Sequence, residues 1–184
     1  MAPPGGHDRN PAEGHVEQEL RIAQPFLDGT SMGERLSAII SSAPETIATA
    51  RLEIETRGQG FTEITQDAAR FLSEAGAKDG CLLVFLRHTS ASLIIQENAD
   101  ADVRTDLASA LARVAPEDAG WVHDIEGPDD MPAHVKTMFT GVSLHVPVSA
   151  GKLLLGTWQG IYVAEHRARA HRREVVLQFI GSRR

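Results

Sequence analysis

The apolar positions along the chain spell out alternating strands and helices. In TIATARLEIET, Ala48, Ala50, Leu52 and Ile54 alternate with Thr49, Arg51, Glu53 and Glu55, which predicts a strand with one wet face. RGQG then turns the chain. Thr65 is expected to cap a helix whose Ala68, Leu72 and Ala75 share a face, ending at Gly76, where a left-handed residue closes a helix. CLLVFLR, from Cys81 to Arg87, is an apolar run too short for a helix and predicts a strand buried on both faces. It delivers HTSAS from the core, and SLIIQ continues as strand.

A second helix starts at Asp100 or Asp102, carries Val103, Leu107, Ala110, Leu111 and Val114 on one face, and closes at Pro116. Pro132 suits the first turn of a short third helix, in which Met138 and Phe139 carry the apolar face to Gly141. VSLHVPV, then LLLGTWQGIYVAEH after the SAGK turn, then REVVLQFIG complete three closing strands. Consecutive closing strands favour α+β with a largely antiparallel (mixed) sheet and a few flanking helices over a parallel βαβ wind. The glycines lack the spacing of a dinucleotide or P-loop fingerprint.

The first 45 residues read differently. Residues 1 to about 31 are rich in Pro, Gly and charge and are expected to form a mobile tail. Met32, Leu36, Ile39 and Ile40 recur at helical spacing up to Pro44, predicting a short helix, and Met32 is a candidate translation start. A single domain is then expected over 46–184, a size that one core can serve.

Composition narrows the classes of function. A net charge of -7 argues against a broadly basic surface and hence against a nucleic-acid partner. No secretory signal opens the chain and no run of about 18 apolar residues offers a membrane span. Cys81 is the only cysteine, which excludes an internal disulfide framework and thiolate clusters, and a reducing cytoplasm is the expected setting.

Candidate chemistry gathers where elements hand over to loops. His88 ends the buried strand, while His123 and His134 bracket HDIEGPDDMPAH. Three imidazoles from separate segments suit zinc or a neighbouring metal, and each alone would equally serve as a local hydrogen-bonding group. Glu126 is a candidate proton-handling group, whereas Asp129 and Asp130 precede Met131-Pro132 and are expected to cap the next helix. Glu97 and Asn98 leave a strand in QENAD, as site residues or as turn formers. Thr157 and Gln159 lie between the two glycines of GTWQG, which mark either a close approach by ligand or room for a packed Trp158. Arg167 belongs to EHRARAHRR, a solvated hairpin end or a phosphate site.

Taken together, HTSASLIIQENAD, HDIEGPDDMPAHVK, GVSLHVPVSAGKLLLGTWQGIYVAEHR and VVLQFIG resemble the YjbQ family over about residues 47 to 181. The family carries the label of a secondary thiamine-phosphate synthase. The resemblance implies an α+β sandwich that assembles as a homotrimer, with the histidine motifs in a cleft near the subunit interface where divalent metal, zinc or magnesium, can bind. It places metal-binding histidines on His88, His123 and His134 and the acidic residues on Glu97 and Glu126. Trp121 stands where many members have tyrosine, and EHRARAHRR replaces their E-x-D-G-P-R ending, so substrate selectivity is open to change. The expected function is a metal-binding enzyme acting on small phosphorylated metabolites, with Asn98, Thr157, Gln159 and Arg167 as substrate or phosphate contacts and thiamine-phosphate synthase as the named reaction. A metal-dependent hydrolase and a non-enzymatic trimeric metal- or metabolite-binding protein are the alternatives.

Overall fold

A computed structural model of the protein describes residues 38–184. Its elements run β1 (Thr46–Glu55), β2 (Gly60–Glu63), α1 (Thr65–Glu74), β3 (Ala77–Leu86), β4 (Ala91–Glu97), α2 (Ala101–Val114), α3 (Asp130–Thr140), β5 (Ser143–Ser149), β6 (Lys152–Leu153), β7 (Gln159–Glu165) and β8 (Arg172–Arg183). Residues 38–45 carry neither helix nor strand, and the rest of the helix expected from Met32 lies outside the described residues, as do the tail and the candidate start. By its contacts, one compact unit runs from Ile40 to Arg184.

Every strand pair is antiparallel. One sheet has the order β1-β8-β3-β5-β6 and the other β2-β7-β4, an α+β architecture built from the alternations seen in sequence. Leu82, Val84 and Leu86 of β3 and Val175, Leu177 and Phe179 of β8 face Leu93, Ile161 and Val163 of the smaller sheet's strands, with Ile64, Ala68 and Leu72 of α1 closing the core. Each such fully buried side chain contributes about 1.5–3 kcal/mol, so this layer dominates stability. Among the described residues no helix is long and apolar enough to cross a membrane.

Four local expectations are corrected. The β3 strand is buried on one face only: Phe85 stands exposed on the other. Thr65 begins α1 but does not cap it; Ile64 occupies the cap without a side-chain bond, while the Thr65 hydroxyl donates to Glu63 and accepts the Ile161 N–H. LLLGTWQGIYVAEH is two strands in different sheets, because the Gly156 N–H donates to the Gln159 side chain and folds the segment into a turn with Trp158 exposed. In α3 the inward face is Asp130, Pro132, Ala133, Lys136 and Thr137, and Met138 and Phe139 point outward at 74% and 66% exposure. Charged residues thus occupy the side of α3 that the apolar pattern would have filled with Met and Phe.

Candidate metal centre

The inward turn of α3 builds the site. Thr137 donates its hydroxyl to the Ala91 carbonyl at 3.3 Å and seats the helix beside the start of β4. Asp130 and His134, four residues apart on one helical face, then reach the same space. His134 donates through Nδ1 to the Thr89 carbonyl at 2.9 Å, which fixes its tautomer and leaves Nε2 as the free donor atom, 3.5 Å from the Asp130 Oδ2. His123, from the loop before α3, brings its Nε2 to 2.8 Å from the same oxygen. The two imidazole rings are tilted against each other with centroids 5.6 Å apart.

Asp130 is only 2% exposed, and its position is set from the opposite side by Arg167. That guanidinium meets Asp130 Oδ1 with one nitrogen, donates to Asp129 Oδ2 at 3.0 Å with another, and donates to the Glu126 carbonyl at 2.8 Å with the third. Burial opposes the Arg167 charge, but the bond to Asp129 and the charges of Asp129, Asp130 and Glu126 outweigh it and raise its pKa. For Asp129, burial pushes the carboxyl up, yet the Ala168 N–H and Arg167 overcome that and leave it below the usual carboxylate value. Beneath lies a buried pair: Arg173 grips both oxygens of Glu165 at 2.6 and 2.7 Å and reaches Ser90, while Thr56 and the Arg167 N–H complete the carboxylate. Ser90 and Thr89 belong to one loop, so this pair helps hold the carbonyl that orients His134.

His123, Asp130 and His134 offer ligand atoms all within 4.8 Å of one another. A tetrahedral ion at ordinary zinc distances separates its donors by about 3.4 Å, and the 2.8 and 3.5 Å separations bracket that spacing. Two neutral imidazoles and one carboxylate, with an outer carbonyl and an arginine holding them, suit a divalent transition metal. The donor set fits the group.

His88 is turned elsewhere. Its Nε2 accepts the Glu174 N–H at 3.0 Å, and burial followed by the Arg173 charge lowers its pKa. It does line an open pocket of about 440 Å³ together with Thr89 and His134, so it is a neighbour of the cluster without being one of its three members. Glu126 stands at the rim, 67% exposed, with Oε2 3.7 Å from Arg167. Arg167, expected to meet phosphate, has each of its guanidinium nitrogens engaged within the acidic turn. Glu97, Asn98, Thr157 and Gln159 gather at the other end of the small sheet, where Glu97 pairs with Gln159 and the Asn98 N–H meets the Trp158 carbonyl. From Ala91 to Glu97 is six residues of strand, about 20 Å, so within one protomer this group is remote from the histidines.

Asp130 was hidden by its place before Met131-Pro132, where an aspartate reads as a helix cap; α3 has no side-chain cap bond. The signal that points to it is its i,i+4 spacing to His134. Thr89 acts through its backbone, and no side-chain pattern announces it.

The comparisons agree with this architecture. A family model described as UPF0047 protein YjbQ-like matches residues 50–182. The UPF0047 protein sll1880 of Synechocystis is 48% identical over 131 residues, covering 71% of this chain and 89% of its own. The UPF0047 protein YjbQ of Salmonella typhimurium is 40% identical over 131 residues, covering 71% and 95%. Among solved structures, an uncharacterised YjbQ/UPF0047 family protein from Clostridium acetobutylicum superposes with a TM-score of 0.67 at 36% identity, covering 71% of this chain and 99% of that one. With its fold and most of its described residues shared in this way, the chain belongs to the YjbQ family.

Proposed function

We propose that the protein is a metal-binding enzyme acting on small phosphorylated metabolites, with the ion held by His123, Asp130 and His134. The observation that carries this reading is the convergence of two imidazole Nε2 atoms on a carboxylate that Arg167 already orients. Two nitrogen donors favour zinc over magnesium. A bound ion there supplies Lewis-acid polarisation of a phosphoryl or carbonyl oxygen. The chain's own groups supply the rest: the Thr89 carbonyl keeps the proton on His134 Nδ1, Arg167 keeps Asp130 aimed, and exposed Glu126 stands ready to take a proton at the rim. The named reaction, joining a pyrimidine diphosphate to a thiazole phosphate with loss of pyrophosphate, is supported by the family resemblance. The same reading includes a cytoplasmic setting and a homotrimer, for which the apolar residues exposed on the outer face of the larger sheet speak.

A hydrolytic reading is favoured by a different observation. Arg167 is fully engaged, so it is not free to receive a leaving phosphate, while the exposed Glu126 carboxylate would serve as general base for water.

Metal analysis of purified wild-type protein against His123→Ala, Asp130→Ala and His134→Ala tests the centre, with each variant expected to lose roughly tenfold or more in affinity. Unchanged metal content in all three would sink it, and His88→Ala decides whether that histidine belongs to the ligand set. Metal-loaded enzyme is then offered the pyrimidine and thiazole phosphates, and in parallel a panel of phosphate esters and amides. Formation of thiamine phosphate supports the synthase; hydrolysis falling about 10²-fold or more in Glu126→Gln supports the alternative.

A further inference from the structure

Besides Asp130 and His134, α3 directs a further charged group into the protein. Lys136 is 4% exposed. Each of the other charged residues buried in the described chain has a partner: Asp130 has Arg167, and Glu165 and Arg173 have each other. Among the described residues the Lys136 ammonium has no hydrogen-bond or ion-pair partner. No fully buried side-chain nitrogen lacks a partner among the described residues, so the ammonium reaches open space where Lys136 lines a crevice, and there it is available to an incoming anion.

The surroundings say where that anion enters. Lys136 lines a narrow crevice of about 20 Å³ with Gly60 and Phe61 of β2, Leu111 of α2, and His166. Glu165 also borders it, but its oxygens are already taken by Arg173, Thr56 and the Arg167 N–H. His166 is tied to the Ser92 hydroxyl at 2.8 Å. The other carboxylates whose charge reaches the amine are Glu117, which is exposed and forms no ion pair, and Asp129, which is held by Arg167. A space of this size holds about one water molecule, so it receives a single oxygen of an anionic group whose remaining atoms stay outside. The body has room outside: the crevice opens along Phe61 into a groove of about 420 Å³ between β2 and α2, flanked by Arg104. No residue of α2 itself is buried, so this wall of the groove is open to solvent.

We propose that Lys136 forms the floor of a second binding site, which takes an oxyanion group, carboxylate or phosphate, of a small molecule lying in the groove between β2 and α2. Two helical positions separate Lys136 from His134, about 200° around the axis, so the two sites open on different sides of α3. The site does not depend on the metal reading.

Calorimetric titration of the full-length protein with inorganic phosphate, and separately with acetate, tests it against a chloride reference of equal ionic strength. Saturable binding of either is expected, and which one saturates identifies the anion. Lys136→Met should weaken that binding roughly tenfold or more, the worth of a charge-assisted contact, while the His123→Ala/His134→Ala double variant keeps it. Failure of both anions to saturate, or Lys136→Met binding like wild type, overturns the proposal, as does loss in the double variant, which would place the anion at the histidines. Should Lys136→Met fail to fold, amide shifts of the wild-type protein decide: phosphate or acetate must move Gly60, Phe61, Leu111 and Lys136, and shifts confined to 123–134 refute the site.

Discussion

His166 shows how one buried residue ties folding to pH. It is 3% exposed, shares a hydrogen bond with Ser92, and has its pKa lowered from 6.5 to about 4 by burial, with the Lys136 charge adding to the effect. The unfolded chain therefore takes up a proton first. The stabilisation is complete above about pH 6.5 and drains away as pH falls toward 4, by up to about 3 kcal/mol. His88, lowered mainly by burial, adds in the same direction. Urea unfolding at pH 7 and pH 4.5 should show the loss, and His166→Gln should flatten most of it; an equal slope in that variant would assign the effect elsewhere. Legibility at this scale divided along physical lines. His123 and His134 stood out because imidazoles at loop edges are chemically conspicuous. Asp130 did not, since an aspartate ahead of Met-Pro is explained by helix capping alone, and the arginine that reveals it, Arg167, comes 37 positions after it in the chain.

At the scale of elements, the strands were readable because alternation is enforced by the pleat. The β1 and β8 strands match their expected segments closely, paired from Thr46 with Gly181 through Glu55 with Arg172. Four-residue β2 offers too few positions to show a period, and α3 defeats an apolar count because its inward face carries Asp130, Lys136 and Thr137. The pairing of β3 with β8 also contains an irregularity between Ala77 and Gly80 that no pattern announces. There Gly181 lies against the opposite backbone: an added Cβ would stand 2.8 Å from the Gly80 Cα, 2.6 Å from the Phe179 ring, and closer still to the Asp79 carbonyl. Gly181→Ala is therefore expected to lose about 1–3 kcal/mol through overpacking. Its unfolding midpoint in urea, compared with that of the wild-type protein, checks this.

For the whole molecule, the larger sheet leaves an apolar band on its outer face in the single chain, beside the Arg51–Glu174 and Arg172–Glu53 ion pairs. Ile47, Ile180, Cys81 and Pro147 fall in one row across four strands, and Phe85 stands on the same face. This band is the contact surface that the proposed trimer would use, and it explains why CLLVFLR reads as doubly buried: the sequence carries apolar residues for two sides while one chain covers only one. Phe85→Glu should shift the proposed trimer to smaller species in sedimentation velocity without unfolding the protomer. If the variant sediments like wild type, this face is not the contact.

The three donors of the metal centre span only residues 123 to 134, short enough for a synthetic fragment. A peptide of residues 120–140 would carry every ligand atom yet lack the Thr89 carbonyl and the Arg167 clamp. It should bind zinc roughly 10- to 100-fold more weakly than the intact chain. The difference between the two affinities would measure how much of the centre is composed by the fold as a whole and how little by the segment that contains it.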